Sequence, residues 1–427
     1  MPPVLIESLD AGGRGIAHVN GKAIFIEGAL PGETVDFVSY RWKRRYERAR
    51  VTRVHRQSSS RAVPGCEYFG VCGGCAMQHL DHHAQVAAKQ RALEDALWHI
   101  GRLHPETVMA PVHGQAWGYR NRARLSVRRV SDQVGVLVGF RERHSSHVAD
   151  MGACRVLPGR VSDLIRPLRA LIEELSIRAQ LPQIEIAVGD AVTVLILRVL
   201  EAPSAADERI LRDFADAHGI QFWLQPDRPE SARPFHPLDA PPLYYSLPEF
   251  DVCIHFAPTD FTQVNQAVNA ILVRRAVDYL DPRPGERILD LFCGLGNFSL
   301  PIAVRGGEVI GVEGSARLVA RARDNAMANG LVAQFSTANL FDTDVCASLP
   351  RCDKLLLDPP REGAIELVKS LGVHGPHRVV YVSCDQGTLA RDAGVLVHTK
   401  GYRLVSAGIV NMFAHTAHVE SMAVFER

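Results

Sequence analysis

The feature that most constrains this chain is the regular alternation of strand-like and helix-like segments from about Phe261 onward. Arg287 to Phe292 reads as a strand, followed by a glycine-containing turn and a helix beginning at Asn297. Glu308 to Glu313 is a second strand, with a helix over Ser315 to Asn329; strands at Lys354 to Asp358 and Arg378 to Ser383 each precede a helical stretch. Strands separated by helices run parallel, because each crossover returns the chain to the same end of the sheet. The expected fold class is therefore α/β, a doubly wound, mostly parallel sheet over residues 261–427. Two last strand-like runs, about Tyr402 to Val410 and His418 to Phe425, have no helix between them and are expected to form an antiparallel hairpin at one edge.

The first turn of this sheet, Asp290-Leu-Phe-Cys-Gly-Leu-Gly-Asn-Phe298, has the form of a ligand loop. Gly294 and Gly296 allow backbone to approach a ligand where a Cβ would clash. Glu313 ends the next strand about 20 residues on, where an acid can hold ribose hydroxyls. A dinucleotide site normally adds a third glycine so that pyrophosphate can rest on the helix N-terminus. Ser299 and Leu300 follow Phe298 instead, so a ligand without pyrophosphate, such as S-adenosyl-L-methionine, fits better.

Ligands of parallel sheets bind outside the carboxyl ends of the strands. Two further motifs end strands at that rim: Asp358-Pro-Pro-Arg-Glu-Gly363 and Ser383-Cys384-Asp385. A strand-end cysteine is ordinarily a packing residue; beside a methyl-donor site and a rigid acidic loop, Cys384 reads as a nucleophile. Carbon 5 of uracil is a weak nucleophile, and thiolate addition at carbon 6 turns the ring into an enolate that can take up a methyl group. A base must then remove the carbon-5 proton. Glu420, in His415-Thr-Ala-His-Val-Glu-Ser421, is the best-placed acid for that step.

The rest of the chain suggests RNA and a metal. At 427 residues the chain has room for about three domains. Lys plus Arg number 48 against 47 acids, so bulk charge names no partner and local clustering must do so. Residues 1–54 read as a short β-barrel with strands at Ala23 to Ile26, Thr34 to Ser39 and Ala49 to Val54. A basic stretch follows, from Arg41 to Arg61, interleaved with Trp42 and Tyr46, as expected for phosphate contacts and base stacking. Residues 62–260 read as α+β: a helix from His83 to Ile100, arginine-rich strands around Arg120 to Arg129, a strand pair from Ile184 to Val199, and loops near 202–207 and 226–242. Cys66, Cys72 and Cys75 cluster, which in a reducing compartment suggests metal or catalysis rather than disulfides, and Cys154 follows much later; spacing leaves zinc and iron–sulfur equally open. The N-terminus has no signal-peptide pattern and no apolar run nears the roughly 18 residues of a membrane span. The expectation is a soluble, cytoplasmic protein with no membrane contact and no obligate protein partner.

Taken in order, Phe261-Thr-Gln-Val-Asn265, Asp290 to Phe298, Asp358-Pro-Pro-Arg361, Ser383-Cys384-Asp385 and His418-Val-Glu-Ser421 resemble the motifs of the RNA uracil-C5-methyltransferases. The resemblance runs over nearly the whole chain and is strongest to the branch that methylates 23S ribosomal RNA. It implies a Rossmann-like class I catalytic domain over 261–427 and an OB-like TRAM domain over 1–54, carried by Gly12-Gly-Arg-Gly-Ile-Ala17. It also implies a central iron–sulfur domain over 62–260. By the same resemblance Cys384 is the nucleophile and Glu420 the proton-abstracting base. Gln263, Phe292, Asn297, Glu313, Asn339 and Asp358 then hold S-adenosyl-L-methionine. Cys66, Cys72, Cys75 and Cys154 then ligate a 4Fe-4S cluster, with a structural or RNA-binding role. Members directed at tRNA are shorter and lack the TRAM domain and cluster, which favours ribosomal RNA. The rivals are a tRNA uracil-C5-methyltransferase, an enzyme acting on exocyclic amines, which needs no cysteine, and a cytosine-C5 enzyme, whose second catalytic cysteine is replaced here by Pro359 and Pro360. A non-catalytic assembly factor that binds ribosomal RNA is the rival outside enzymes.

Overall fold

The structure is a computed structural model and describes residues 3–131, 135–372 and 374–427. The N-terminal unit, whose first two residues lie outside those described, is built from β1 (Val4–Leu5), β2 (Ser8–Leu9), β3 (Gly15–Val19), β4 (Lys22–Glu27), β5 (Thr34–Trp42) and β6 (Tyr46–Arg56). Their order is β1-β5-β6-β4-β3-β2. Strand alternation turns Ala17, Ile24, Ile26, Val35 and Ala49 inward onto one small core with Ile6. The basic stretch does not follow this unit, as the sequence suggested; most of it is the unit's longest hairpin. Arg41 and Trp42 end β5, and Arg48, Arg50, Arg53 and Arg56 lie in β6. Charges every second or third residue are compatible with a strand that has one wet face, so charge density alone hid its regularity.

Asp81 caps α1 (His82–Ala96) by accepting from the His83 and Ala84 amides, and a π-helical turn over Leu97–Gly101 continues it. β7 (Thr107–Val108) follows. The central sheet comprises β8 (Arg122–Ser131), β9 (Gly135–Gly139), β10 (Gln183–Val188), β11 (Thr193–Arg198), β12 (Gln221–Gln225) and β13 (Arg233–His236), ordered β13-β12-β11-β10-β8-β9. It is covered by α2 (Gly159–Ser162), α3 (Ile165–Glu174) and α4 (Ala205–His218), with Leu168, Ile172, Ile184, Leu197 and Phe222 between the layers. Two segments expected as loops are irregular for half or more of their length, but each holds part of an ordered element. Helix α4 starts at 205 because Ser204 and Asp207 form a reciprocal capping box, and β13 falls within 226–242.

After the hairpin β14 (Tyr244–Leu247) and β15 (Val252–His255) the α/β unit begins. It runs α5 (Gln266–Leu280), β16 (Arg287–Leu291), α6 (Ser299–Val304), β17 (Glu308–Glu313), α7 (Ala316–Ala328), β18 (Gln334–Thr337), α8 (Thr343–Ser348), β19 (Lys354–Leu357), α9 (Ile365–Ser370), β20 (Arg378–Ser383), α10 (Gln386–His398), β21 (Arg403–Val410) and β22 (Glu420–Glu426). The sheet order is β18-β17-β16-β19-β20-β22-β21-β7, parallel as far as β20. Leu355 to Leu357 and Val379 to Val382 are fully buried, as helices on both faces require. Each such side chain stabilises the fold by roughly 1.5–3 kcal/mol. β21 and β22 do form the expected antiparallel hairpin, with β22 beside β20. The hairpin is not the edge, however: β7 pairs with β21, Thr107 opposite Ser406 and Val108 opposite Ala407. So short a strand has no periodicity to announce it. Helix α1 joins the same unit, since Val86, Leu93 and Leu97 share a core with Tyr381, Leu389 and Phe425. Among the described residues no helix is long and apolar enough to cross a membrane.

Candidate active site

The carboxyl ends of β16, β17, β19 and β20 and the start of β22 surround a pocket of about 480 Å³. Gln263, Phe292, Asn297, Glu313, Asn339, Asp358, Cys384 and Glu420 all line it. The structure thus brings the expected catalytic and cofactor residues to one place.

The loop after β16 carries Phe292, Gly294 and Gly296 at φ of +65°, +55° and +90°. The glycines adopt this region freely, whereas a bulky residue there is strained, as residues at ligand loops often are. Glu313 fixes the loop: Oε2 accepts from the Gly294 amide at 3.2 Å and Oε1 from the Ser315 amide at 3.0 Å. A carboxylate has about four acceptor positions, so it keeps capacity for a ligand hydroxyl. Asn297 is oriented by two residues the sequence did not single out. Its Oδ1 accepts from Tyr245 Oη at 2.9 Å and Asn269 Nδ2 at 2.9 Å, and its Nδ2 donates to Asn269 Oδ1 at 3.0 Å. Asn269 could have been found as a buried amide on the otherwise apolar face of α5; nothing in the sequence marks Tyr245. Phe341 stands 5.7 Å from Phe292 and completes an aromatic wall. Asp290 is fully buried and accepts from Ser299, while its Oδ1 has no partner. Burial, with the nearby Asp358 and Glu313, pushes its carboxyl up to about 7.

At the other end of the pocket, β20 and β22 pair Ser383 with Ser421, so Cys384 and Glu420 face each other where the ladder ends. Asp385 follows Cys384 and caps α10 by accepting from the Thr388 amide at 2.9 Å. Helix α10 also holds the Asp358 loop. Asp392 Oδ2 accepts from the Ala364 amide and the Tyr381 hydroxyl, both at 2.7 Å, and Arg391 donates to the Glu362 carbonyl at 2.8 Å. One helix therefore sets the spacing between Cys384 and the acid-Pro-Pro loop.

Burial raises the Cys384 thiol to about 11, Glu420 and Asp358 adding to the effect and Arg361 opposing it. Glu420 is only 4% exposed, and burial raises it to about 8, Asp358 adding and Arg361 again opposing. Burial raises Asp358 to about 7. Arg361 was not singled out in the sequence, although it is the one cation in the Asp358 to Gly363 motif; it lines the pocket and lies 3.3 Å from His418. A pocket with an aromatic wall and an excess of acids suits an adenosine ligand bearing positive charge. A methyl donor with a cationic sulphur and an ammonium group is such a ligand.

The expected metal ligands converge elsewhere. Cys66, Cys72, Cys75 and Cys154 line one cavity of about 130 Å³, with Trp117, Phe140 and Met151. The Gly74 amide donates to Cys72 Sγ at 3.4 Å, the Cys66 amide to Gln78, and the Cys154 amide to Ser162. Four cysteines lining one cavity are a donor set that suits either an iron–sulfur cluster or zinc. A separate recess of about 870 Å³ joins the N-terminal unit, the cysteine loop and the central sheet, with Arg14, Arg124, Arg141 and Arg143 in its walls.

Comparison with known proteins agrees with this geometry. Residues 246–427 match the family model described as tRNA (Uracil-5-)-methyltransferase, and residues 3–37 match the TRAM domain. The 23S rRNA (uracil(1939)-C(5))-methyltransferase RlmD of Nitrosospira multiformis is 59% identical, over all of this chain and 98% of its own length. That of an Azoarcus species is also 59% identical and covered completely. The solved tRNA (uracil-54, C5)-methyltransferase of Pyrococcus abyssi, in complex with S-adenosyl-L-homocysteine, superposes with a TM-score of 0.75 at 26% identity over 99% of both chains.

Proposed function

The chain belongs to the RNA uracil-C5-methyltransferases, and from that premise we propose that it methylates carbon 5 of one uridine in 23S ribosomal RNA, with Cys384 as nucleophile and Glu420 as base. The observation that carries the reading is the meeting of Cys384, Glu420, Asp358 and Arg361 at one end of a pocket whose other end is lined by Gln263, Phe292, Asn297, Glu313 and Asn339. S-adenosyl-L-methionine, when bound, supplies an electrophilic methyl group on a cationic sulphur.

The Cys384 thiolate adds to carbon 6 of the uracil, and the carbon 5–carbon 6 pair moves toward the carbonyl at carbon 4. Arg361, the cation at this end of the pocket, stabilises the thiolate and the charge that develops on the ring. Asp358 helps to hold the methyl donor and lies near Cys384 and Glu420, adding to the upward shift of both. Once carbon 5 carries the methyl group, ionised Glu420 takes its proton; the C–H pair restores the double bond and the bond from carbon 6 to Cys384 breaks, releasing the thiolate. Burial of Glu420 excludes water that would compete for this proton.

Length does not separate the two substrates as expected, since the tRNA enzyme of Pyrococcus abyssi matches over 99% of both chains; ribosomal RNA is favoured by the full-length relatives at 59% identity, against 26% for that tRNA enzyme. The exposed basic hairpin and the arginine-walled recess support a long RNA path. The target base is extruded from its stack to reach Cys384. Cys66, Cys72, Cys75 and Cys154 would hold a 4Fe-4S cluster, with thiolates suited to that group; the methyl transfer needs no electron from it. The proposed domains are 1–54, 62–260 and 261–427, with the exception that α1 and β7, within 62–260, pack into the catalytic unit.

The decisive experiment incubates the protein and methyl donor with 23S RNA containing 5-fluorouracil. Carbon 5 then has no proton to lose, and a stable adduct through Cys384 is expected; an active enzyme giving no adduct overturns the mechanism. Unmodified 23S and tRNA transcripts offered side by side decide the substrate. Iron and sulfide analysis of anaerobically purified protein decides the cluster. Cys72→Ser that leaves folding and RNA affinity intact would overturn a structural or RNA-binding role for it.

A further inference from the structure

The segment that delivers Glu420 is anchored to the wall of the cysteine-lined cavity. Residues 411–419 connect β21 to β22, and Glu420 is the first residue of β22. The carbonyl of His415 accepts from the amides of Ala76 and Met77, at 2.8 and 2.9 Å, directly after Cys75. The His415 ring lies 4.0 Å from Trp117, and Trp117 is itself part of the cavity wall. The Arg155 guanidinium lies over the Trp117 ring at 4.6 Å, and Arg155 donates to the Gly65 carbonyl at 2.5 Å, one residue before Cys66. Tyr119 donates to the Ala414 carbonyl at 2.8 Å. His415 is buried at φ +64°, a strained conformation that persists only where surroundings impose it. The groups that hold it are Trp117, the two amides after Cys75, and Gln85 of α1, which accepts from the His415 amide at 2.9 Å and lies 3.2 Å from its Nδ1.

We propose that Trp117 and His415 are positioning residues for Glu420, transmitting the closed state of the cysteine cavity to the alignment of the base. The proposal rests on the reading of Glu420 as base and of the four cysteines as holders of a cluster. Filling the cavity fixes the Cys66 to Met77 loop. That loop holds His415, and His415 sets where β22 begins. If the loop slackens, Cys384 can still add to carbon 6 and carbon 5 can still be methylated, because neither step uses Glu420. Only removal of the carbon-5 proton slows, and the enzyme remains joined to methylated RNA.

The test measures covalent adduct on unmodified 23S RNA by denaturing gel, in the full-length, cluster-loaded protein. His415→Asn removes the ring's contacts with Trp117 and with Gln85 while leaving every cavity-lining residue in place, and asparagine tolerates positive φ; Trp117→Leu then isolates the Trp117 contact. Expected is an adduct fraction up about tenfold, a small part of the roughly 100- to 10,000-fold a placed base contributes. Iron content, donor affinity and 5-fluorouracil adduct should equal wild type. Trp117→Leu should give the same adduct, and Trp117→Phe, which keeps a ring against His415, should restore turnover. Glu420→Gln is the reference. If it accumulates adduct and the two positioning variants do not, the proposal falls and the reading of the base stands. If Glu420→Gln itself gives none, the base assignment falls, and this proposal with it. Parallel loss of 5-fluorouracil adduct, donor affinity and turnover in His415→Asn would mean a general structural defect and would also overturn the proposal.

Discussion

Cys384 has to release a proton that its surroundings hold in place, and so does Glu420. With the thiol raised to about 11 and the carboxyl to about 8, both are largely neutral in the free protein near pH 7. A raised acid stays protonated to higher pH, so kcat/KM should climb from pH 6 to 9 rather than level off near 6; a flat profile contradicts it. Arg361→Ala removes the cation opposing both shifts and should move the rise to still higher pH, with kcat/KM down by about 100-fold or more at pH 7, the scale of losing one charge-stabilising donor. Stability should show the opposite sign. Folded Glu420 binds its proton more tightly than unfolded Glu420, so its contribution is present below the ordinary value of 4.5 and is lost as pH rises through about 8. Glu420→Gln, which has no proton to lose, should therefore gain in Tm over wild type between pH 5 and 8; thermal melts at several pH values check this. Residues whose role was legible in the sequence lie in short motifs at strand ends, where chemistry and position coincide. Tyr245 and Asn269 escaped because they reach Asn297 across 52 and 28 residues of chain, a relation that only the folded sheet creates. Tyr245→Phe should weaken methyl-donor binding by about 1 kcal/mol, the usual worth of one hydrogen bond, read by calorimetry.

At the scale of elements, the parallel strands were legible because buried strands read as continuous apolar runs bounded by turns. Helix α4 and β13 were not: an Ala/Asp-rich start and a proline-rich surround resemble loops until the Ser204 capping box and the β12 partner are seen. The β5–β6 hairpin hid behind its own charge. Arg41, Lys43 and Arg44 are exposed at its tip with Trp42. Replacing the three basic residues with alanine should reduce the salt slope of RNA binding by about 2 to 3, at roughly 0.7–0.9 per phosphate contact. Methyl-donor affinity should not change. Filter binding at several salt concentrations measures the first and calorimetry the second.

At the scale of the whole molecule, the catalytic sheet was legible as a fold and illegible as a package. The sequence gives no hint that α1 and β7 belong to it, since their partners lie about 300 residues on. Lys89 illustrates the cost: a buried cation on α1 donates to Asn411 and to the Phe413 carbonyl, at 2.7 and 2.9 Å. Burial lowers its pKa to about 7, which explains how a lysine is tolerated there. The pairing of β7 with β21 has a further consequence. Without those few residues the last long strand of the sheet would offer a row of bare amides and carbonyls to any neighbouring chain, the usual seed of aggregation. Fragment 261–427, though it holds every residue that lines the reacting end of the pocket, should therefore self-associate on expression, and light scattering should reveal large species where the full chain gives none. The guard strand is also translated long before the edge it protects. A nascent chain thus carries the cover for its catalytic sheet before that sheet exists, and protection against misassembly is built into the order of synthesis.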